Sequence, residues 1–342
     1  MTEPSAVLEK ALPTDPRAAA VEPTREPLSA FELSERRALV IGEALVDVVN
    51  RTGGTREQHP GGSPANVALG LARLGRGVDL LTWIAPDANG DAIRDHLAAS
   101  GVALLPGSDS AARTSVATAV LDAHGAASYA FDLSWRVPDR WASPPTPPLV
   151  VHTGSIAAVL EPGGPDVARI LIAHRDSATI TYDPNVRPSL MPPPRATRPI
   201  VESFVELADV VKVSDEDLTW LYPTRDPLES GRLWTTAGPA LVVITKGAAG
   251  ATGLTAAGAQ VEVAAPRTEV ADTVGAGDAF MSGLIDGLWS AGLLGAPLRQ
   301  ALRDADSRDL RTVLRRCTLA AAVTVSRHGA DPPTAAELHA AD

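Results

Sequence analysis

From residue 38 onward, short β-branched apolar runs alternate with stretches whose apolar positions recur every three or four residues. "ALVIGEALVDVV" (38–49), "VDLLTWIA" (78–85), "PPLVVHTGSI" (147–156), "ATITYDPN" (178–185), "DVVKVS" (209–214) and "ALVVITKG" (240–247) read as strands, the first as one buried strand. Between them, "SPANVALGLARLG" (63–75), "NGDAIRDHLAASG" (89–101), "GPDVARILIAHR" (164–175) and "TRPIVESFVELA" (197–208) carry helical spacing, the first two stopping on glycine. Further helices are predicted after Asp278 and around 309–329. Alternating strands and helices imply an α/β fold, a mostly parallel sheet covered on both faces.

Two segments break this rhythm. "TSVATAVLD" and "AASYAFDL" flank "AHGA" as a hairpin, and "NRTGGTREQHP" (50–60) is a glycine-rich excursion. Together they predict a small β lid, with strands from about 48–60 and 113–133, inserted into the α/β core. "ATGLTAAGAQVEVAA" (251–265) suggests a second hairpin, and the proline-rich stretches 143–148 and 191–199 read as surface loops. Residues 1–37, rich in Pro, Ala and Glu, read as a disordered tail, 38–333 as one domain, and 334–342 as a C-terminal tail.

Composition narrows the partners. A net charge of −11 argues against nucleic acid or an anionic membrane. The single cysteine, Cys317, excludes an internal disulfide, and the histidines lack paired metal spacing. There is no membrane-length apolar run and no signal-peptide core, so a cytoplasmic enzyme is expected.

Candidate chemistry gathers where strands end, the rim on which open α/β sheets bind ligands. Asp47, "DPNVRP" (183–188), "SDED" (214–217) and "TKGAAG" (245–250) all lie at such ends. "DTVGAGDAF" (272–280) adds a glycine-rich turn into a helix with Asp278 beside it. The free N–H groups and dipole of a helix start attract anions, and glycine lets phosphate approach the backbone. A plain aspartate cap behind a flexible turn is the structural alternative. In "GGSPAN" (61–66), Gly61-Gly62 offers a hinge, Ser63 a cap and Pro64 a first-turn proline.

"GGSPANVALGLARLG" (61–75) and "DTVGAGDAFMSGL" (272–284) resemble, in order and spacing, the two signatures of the ribokinase-like phosphofructokinase-B (PfkB) family of carbohydrate kinases. "TKGAAG" resembles its nucleotide loop, and "GEALVDVV", "DPNVRP" and "VKVSDEDL" are most like bacterial fructokinases. The resemblance implies a ribokinase-like three-layer fold and transfer of the ATP γ-phosphate to a sugar hydroxyl, with D-fructose the first choice of sugar, with Mg²⁺ and a homodimer. It makes Asp278 the catalytic base and the amides of Gly275, Ala276 and Gly277 the anion hole. It places Asp47, Gly61, Gly62, Ser63, Asn66, Asn185 and Arg187 around the sugar, and Thr245, Gly247, Gly250, Ala276 and Gly277 at the nucleotide. The family N-x-x-E motif becomes Ser214 and Asp217, so Asp217 is the metal candidate, acting through water; Glu216 or simple helix capping are the alternatives. A potassium ion would sit near Asp272–Val274 and 326–333, where Pro333 replaces the family serine. Kinases for 2-keto-3-deoxygluconate, ribose or a nucleoside, and an inactive regulatory relative, stay open.

Other enzyme classes fit poorly. "GGSPA" lacks the final glycine of a hydrolase elbow, "GAGDAF" lacks the third glycine of a dinucleotide fingerprint, and no P-loop motif exists.

Overall fold

The computed structural model describes residues 36–50, 56–121, 127–144 and 146–341. Most of the expected N-terminal tail, and the tips of both lid excursions, lie outside the described residues. Among the described residues, β1 (Arg37–Ile41), β4 (Gly77–Leu81), β5 (Val102–Leu104), β8 (Val150–Gly154), β9 (Thr179–Asp183), β10 (Val210–Ser214) and β11 (Leu241–Thr245) form parallel ladders in the order β5-β4-β1-β8-β9-β10-β11. The hairpin β12 (Ala251–Thr255) and β13 (Gln260–Val263) extends the edge antiparallel, completing nine strands.

Alternation along β1 divides the core. Ala38 and Val40 pack with α1 (Ser63–Arg73), α8 (Ala276–Ser290) and α10 (Ser307–Val325). Leu39 and Ile41 face the opposite layer, with α4 (Gly163–His174), α5 (Pro194–Leu207), α6 (Asp215–Leu221) and α7 (Pro227–Ala237). The result is the three-layer ribokinase-like α/β/α architecture. A separate sheet, β3-β2-β6-β7, joins β2 (Leu45–Asn50), β3 (Arg56–Gly61), β6 (Ser115–Leu121) and β7 (Ala127–Asp132) as the lid. α2 (Ala88–Ala98) packs on β2 and β3.

The structure departs from the sequence expectation in four places. The run 38–49 is not one strand; it breaks at Gly42–Ala44, sending β1 to the core and β2 to the lid. A Cβ on Gly42 would lie 2.3 Å from Pro64 Cγ, so the turn nests against the start of α1 because Gly42 has no side chain. The proline-rich 191–199 stretch is not wholly a loop: α5 starts at Pro194, where the fixed φ suits a first turn. Residues 335–341 form the helix α11, whose Leu338 is fully buried with Leu74 and Ala320, rather than a tail. Finally, residues 227–237, for which no helix was expected, form α7, capped by Asp226, whose carboxylate accepts from the Leu228 and Glu229 amides.

Candidate active site

The sheet register aligns the carboxyl ends of the central strands. Gly154 lies opposite Asp183 and Ser214 opposite Thr245, so the polar residues that end these strands share one rim. α8 begins on this rim. Its cap, Gly275, has φ of 76°, and a Cβ there would lie 2.8 Å from Ala330 Cα, so glycine is needed on both counts. The amides of Gly277 and Asp278 belong to a first turn with no acceptor inside the helix, whereas the Ala276 N–H donates to Thr273 O at 3.3 Å.

Asp278 is 6% exposed. Ser63 Oγ donates to its Oδ1 at 2.7 Å and Asn66 Nδ2 to its Oδ2 at 2.8 Å. Asn185 Nδ2 donates to Ser63 Oγ at 2.7 Å and reaches Asp278 Oδ1 at 3.5 Å; Arg187 in turn donates to Asn185 Oδ1 at 2.6 Å. Two chain segments, each more than 90 residues from Asp278, thus orient its carboxylate. Oδ2, with Asn66 as its one donor, keeps a second lone pair for a further donor. Ser63 and Asn66 stand on the first turn of α1, one face of which therefore presents both groups to α8.

Asp47 hangs from the lid, opposite His59 in the β2–β3 register. A Cβ on Gly61 would overlap its Oδ2 at 2.3 Å, so Gly61 leaves room for the carboxylate. Burial raises the Asp47 pKa, opposed by the charges of His59 and Arg187. Gly62 has φ of 104° and packs its Cα against the Glu43 carbonyl, which a Cβ would meet at 2.5 Å. On the other side of the rim, Thr245 ends β11 and the loop behind it is closed by Lys246 N–H donating to Gly250 O at 2.8 Å. Gly247 and Gly250 have φ of 50° and 94°, and a Cβ on Gly250 would meet Val263 O at 2.0 Å.

Asp217 is tied into the helix start. Its Oδ2 accepts from Ser214 N–H at 3.4 Å while Ser214 Oγ accepts from the Asp217 N–H, a reciprocal capping box. Its Oδ1 accepts from Val186 N–H at 3.1 Å, linking α6 to "DPNVRP". Burial raises its pKa, with Lys212 opposing first. Capping and an outer-sphere metal contact are compatible, because carboxylate lone pairs remain for water. Glu216, the alternative, is exposed. Among the described residues no group of three or more His, Cys, Asp or Glu side chains could hold a metal ion by itself. Asp272 joins its turn to the 326–333 segment: its oxygens accept from Val274 and Gly329 N–H, and such bonds lower its pKa.

Two buried features were not picked out from the sequence. Glu43, in the turn between β1 and β2, is 5% exposed; burial pushes its carboxyl up to about 8, and its Oε2 accepts from Ala157 N–H at 3.2 Å. Lys212, in β10, donates to Asp183 Oδ2 at 2.7 Å with both side chains buried, and burial pushes Asp183 up to about 6 against the Lys212 charge. A lysine inside an otherwise apolar strand was the available signal, since such a charge requires a partner.

The fold and this rim place the chain in the ribokinase-like class of sugar kinases. Residues 35–336 match the pfkB family carbohydrate kinase, and the chain belongs to that family. It is 35% identical over 264 residues to a fructokinase of Klebsiella pneumoniae, covering 74% of this chain and 85% of that one. The crystal structure of fructokinase with bound ATP from Xylella fastidiosa is similar with a TM-score of 0.74 at 25% identity, over 89% of this chain and 97% of that one. A fructokinase double mutant from Vibrio cholerae O395 with fructose, ADP and potassium ion bound has a TM-score of 0.72 at 26% identity, over 90% of this chain and 98% of that one. No helix among the described residues is long and apolar enough to cross a membrane.

Proposed function

We propose that the protein transfers the γ-phosphoryl group of Mg-ATP to the 6-hydroxyl of D-fructose. The observation that carries the reading is the placement of Asp278 at the start of α8, beside unpaired first-turn amides and oriented by Ser63 and Asn66. The similar proteins from K. pneumoniae, X. fastidiosa and V. cholerae, all fructokinases, support the choice of sugar.

In this reading Asp278 accepts the hydroxyl proton as the sugar oxygen bonds to the γ-phosphorus and the bond to the β–γ bridging oxygen breaks, leaving ADP. The amides of Gly275, Ala276 and Gly277 meet charge on the transferring oxygens, the long Ala276–Thr273 bond being exchanged for one to phosphate. Asp47, Asn66 and Asn185 hold sugar hydroxyls, Gly61 to Ser63 shape the entrance, and Arg187 lends positive charge. Thr245, Gly247 and Gly250 border the nucleotide. Asp217 would hold Mg²⁺ through water, and the ion would offset charge on the ATP phosphates. Potassium, bound in the V. cholerae structure, would sit between the Asp272 turn and the 326–333 segment.

The test is ADP release with Mg-ATP over fructose, ribose, glucose, 2-keto-3-deoxygluconate and nucleosides, with Asp278→Asn as control. Fructose is expected to give the highest kcat/KM, and the control to lose about 10²–10⁴ in kcat while still binding ATP. Another sugar better by tenfold overturns the substrate, and a control retaining a tenth of wild-type kcat overturns the base. The protein is further proposed to be a homodimer, which a monomeric mass by light scattering at micromolar concentration would refute.

A further inference from the structure

Beneath the first turn of α8 lies a polar layer that the proposed reaction does not use. Lys212 and Asp183 face each other in neighbouring strands, 3% and 0% exposed at their side chains. Asp183 Oδ1 is buried without a hydrogen-bond partner. The Lys212 ammonium lies against the anion-binding turn itself: a Cβ added to Gly277 would come within 3.0 Å of Nζ. On the next strand, burial and then the Lys212 charge hold His152 down at about 3, so its imidazole is neutral and Lys212 is the cation of this layer.

Stability does not account for the pair. Replacing a buried ion pair by apolar residues of similar size is often neutral or stabilising. Lys212 shares its strand face with Val210, which belongs to the same apolar core as α8, so an apolar side chain would suit the position. Nor does α8 want a cation there, since the positive end of a helix dipole repels one. Asp183 bonds Lys212 directly, the Asp217 carboxylate also feels the lysine charge, and Asp278 stands in the first turn of α8 itself.

We propose that Lys212 is a positioning residue for phosphoryl transfer: held by Asp183, its ammonium braces the Gly277 turn and adds fixed positive charge behind the amides that receive the transferring group. The inference rests on the kinase reading above and assigns this residue within it. Fixed charge aimed at developing negative charge accelerates the step without stabilising bound substrate equally, so Lys212 acts on kcat more than on KM. A Cβ on Gly277 would leave only 3.0 Å to Nζ, so glycine lets the ammonium lie close against the turn.

The experiment compares wild type, Lys212→Met and Lys212→Arg in ADP release with fructose and Mg-ATP. Calorimetric binding of ADP, alone and with aluminium fluoride as a mimic of the transferring phosphoryl group, is measured on the same proteins. Lys212→Met is expected to lose about 10- to 100-fold in kcat, with fructose KM and ADP affinity within about threefold. Its affinity for ADP–aluminium fluoride should fall at least about tenfold, and Lys212→Arg should recover part of both losses. A folded Lys212→Met with kcat within threefold of wild type, or one losing ADP and ADP–aluminium fluoride affinity equally, overturns the inference. Should Lys212→Met not fold, the double variant Asp183→Asn, Lys212→Met removes both charges; wild-type kcat in it overturns the inference, and a tenfold loss supports it. A wild type that releases no ADP with any sugar takes down the kinase reading and this inference with it. An active wild type matched by Lys212→Met takes down this inference alone.

Discussion

Glu43 links the chemistry of a single residue to the stability of the whole chain. Burial is the main cause that raises its carboxyl from the ordinary 4.5 to about 8; the hydrogen bonds it accepts and the charge of Arg187 oppose this, and Asp278 adds to it. Between these two values the folded protein holds a proton that the unfolded chain has released. Stability contributed by this group is therefore lost as pH rises from about 4.5 to about 8. Glutamine imitates the protonated acid and does not titrate. The melting temperature of Glu43→Gln relative to wild type should thus climb between pH 5 and pH 8 in calorimetric scans, while the contribution of Asp183, present in both proteins, cancels. A difference that stays constant across that range would refute the assignment. At this scale the sequence was legible where polar residues stand in glycine-rich turns: Asp278, Ser63, Asn66 and Asn185 were all picked out, and they meet. It was opaque at Glu43 and at the pairing of Lys212 with Asp183: a lysine in an apolar strand signals that a partner is required, but which residue supplies it is set by tertiary contacts that no local pattern encodes.

At the scale of elements, the entry into α1 is the constraint on which the site turns. Gly62 precedes the helix with φ of 104°, and its Cβ would meet backbone on two sides: Glu43 O at 2.5 Å and Ala44 Cα at 2.9 Å. Gly75, just after the helix, has φ of 88° with nothing within 4 Å of an added Cβ. Both positions carry the conformational cost of a left-handed alanine, roughly 1–3 kcal/mol. Only Gly62 adds a clash that must move the β1–β2 turn or α1. Gly62→Ala should therefore lose distinctly more stability in urea unfolding than Gly75→Ala; equal losses would show that the turn yields freely. Hydrophobic period located the central strands and principal helices, but it could not separate β1 from β2. Both halves are apolar, and the break depends on Gly42 approaching Pro64, a residue 22 positions on. α7 carried its own signals in Asp226 and Pro227, with a cap and a first-turn proline.

For the whole molecule, the α/β rhythm made the parallel sheet legible and the two interruptions of that rhythm made the lid legible, because a hairpin cannot join a βαβ succession. What the lid does follows from its separateness. Its four strands share no ladder with the nine-stranded sheet. Val46 and Val48 are 2% exposed on the face packed by α2, while Asp47, between them, points from the other face. Strands with one covered face and the rim of a second sheet open more readily than the central strands β8 to β10, which are buried on both sides. A sugar held between Asp47 on the lid and Asn66 and Asp278 on the core would bridge the two sheets and slow lid opening selectively. Amide hydrogen exchange with fructose and Mg-ADP should accordingly gain protection in β2, β3 and β6, with β8 to β10 nearly unchanged. The two ligands are to be added separately as well as together. Protection of the lid by fructose, with or without nucleotide, is the expected outcome. Protection spread equally over lid and core strands would mean that ligand stabilises the molecule globally, and that Asp47 does not close onto the sugar.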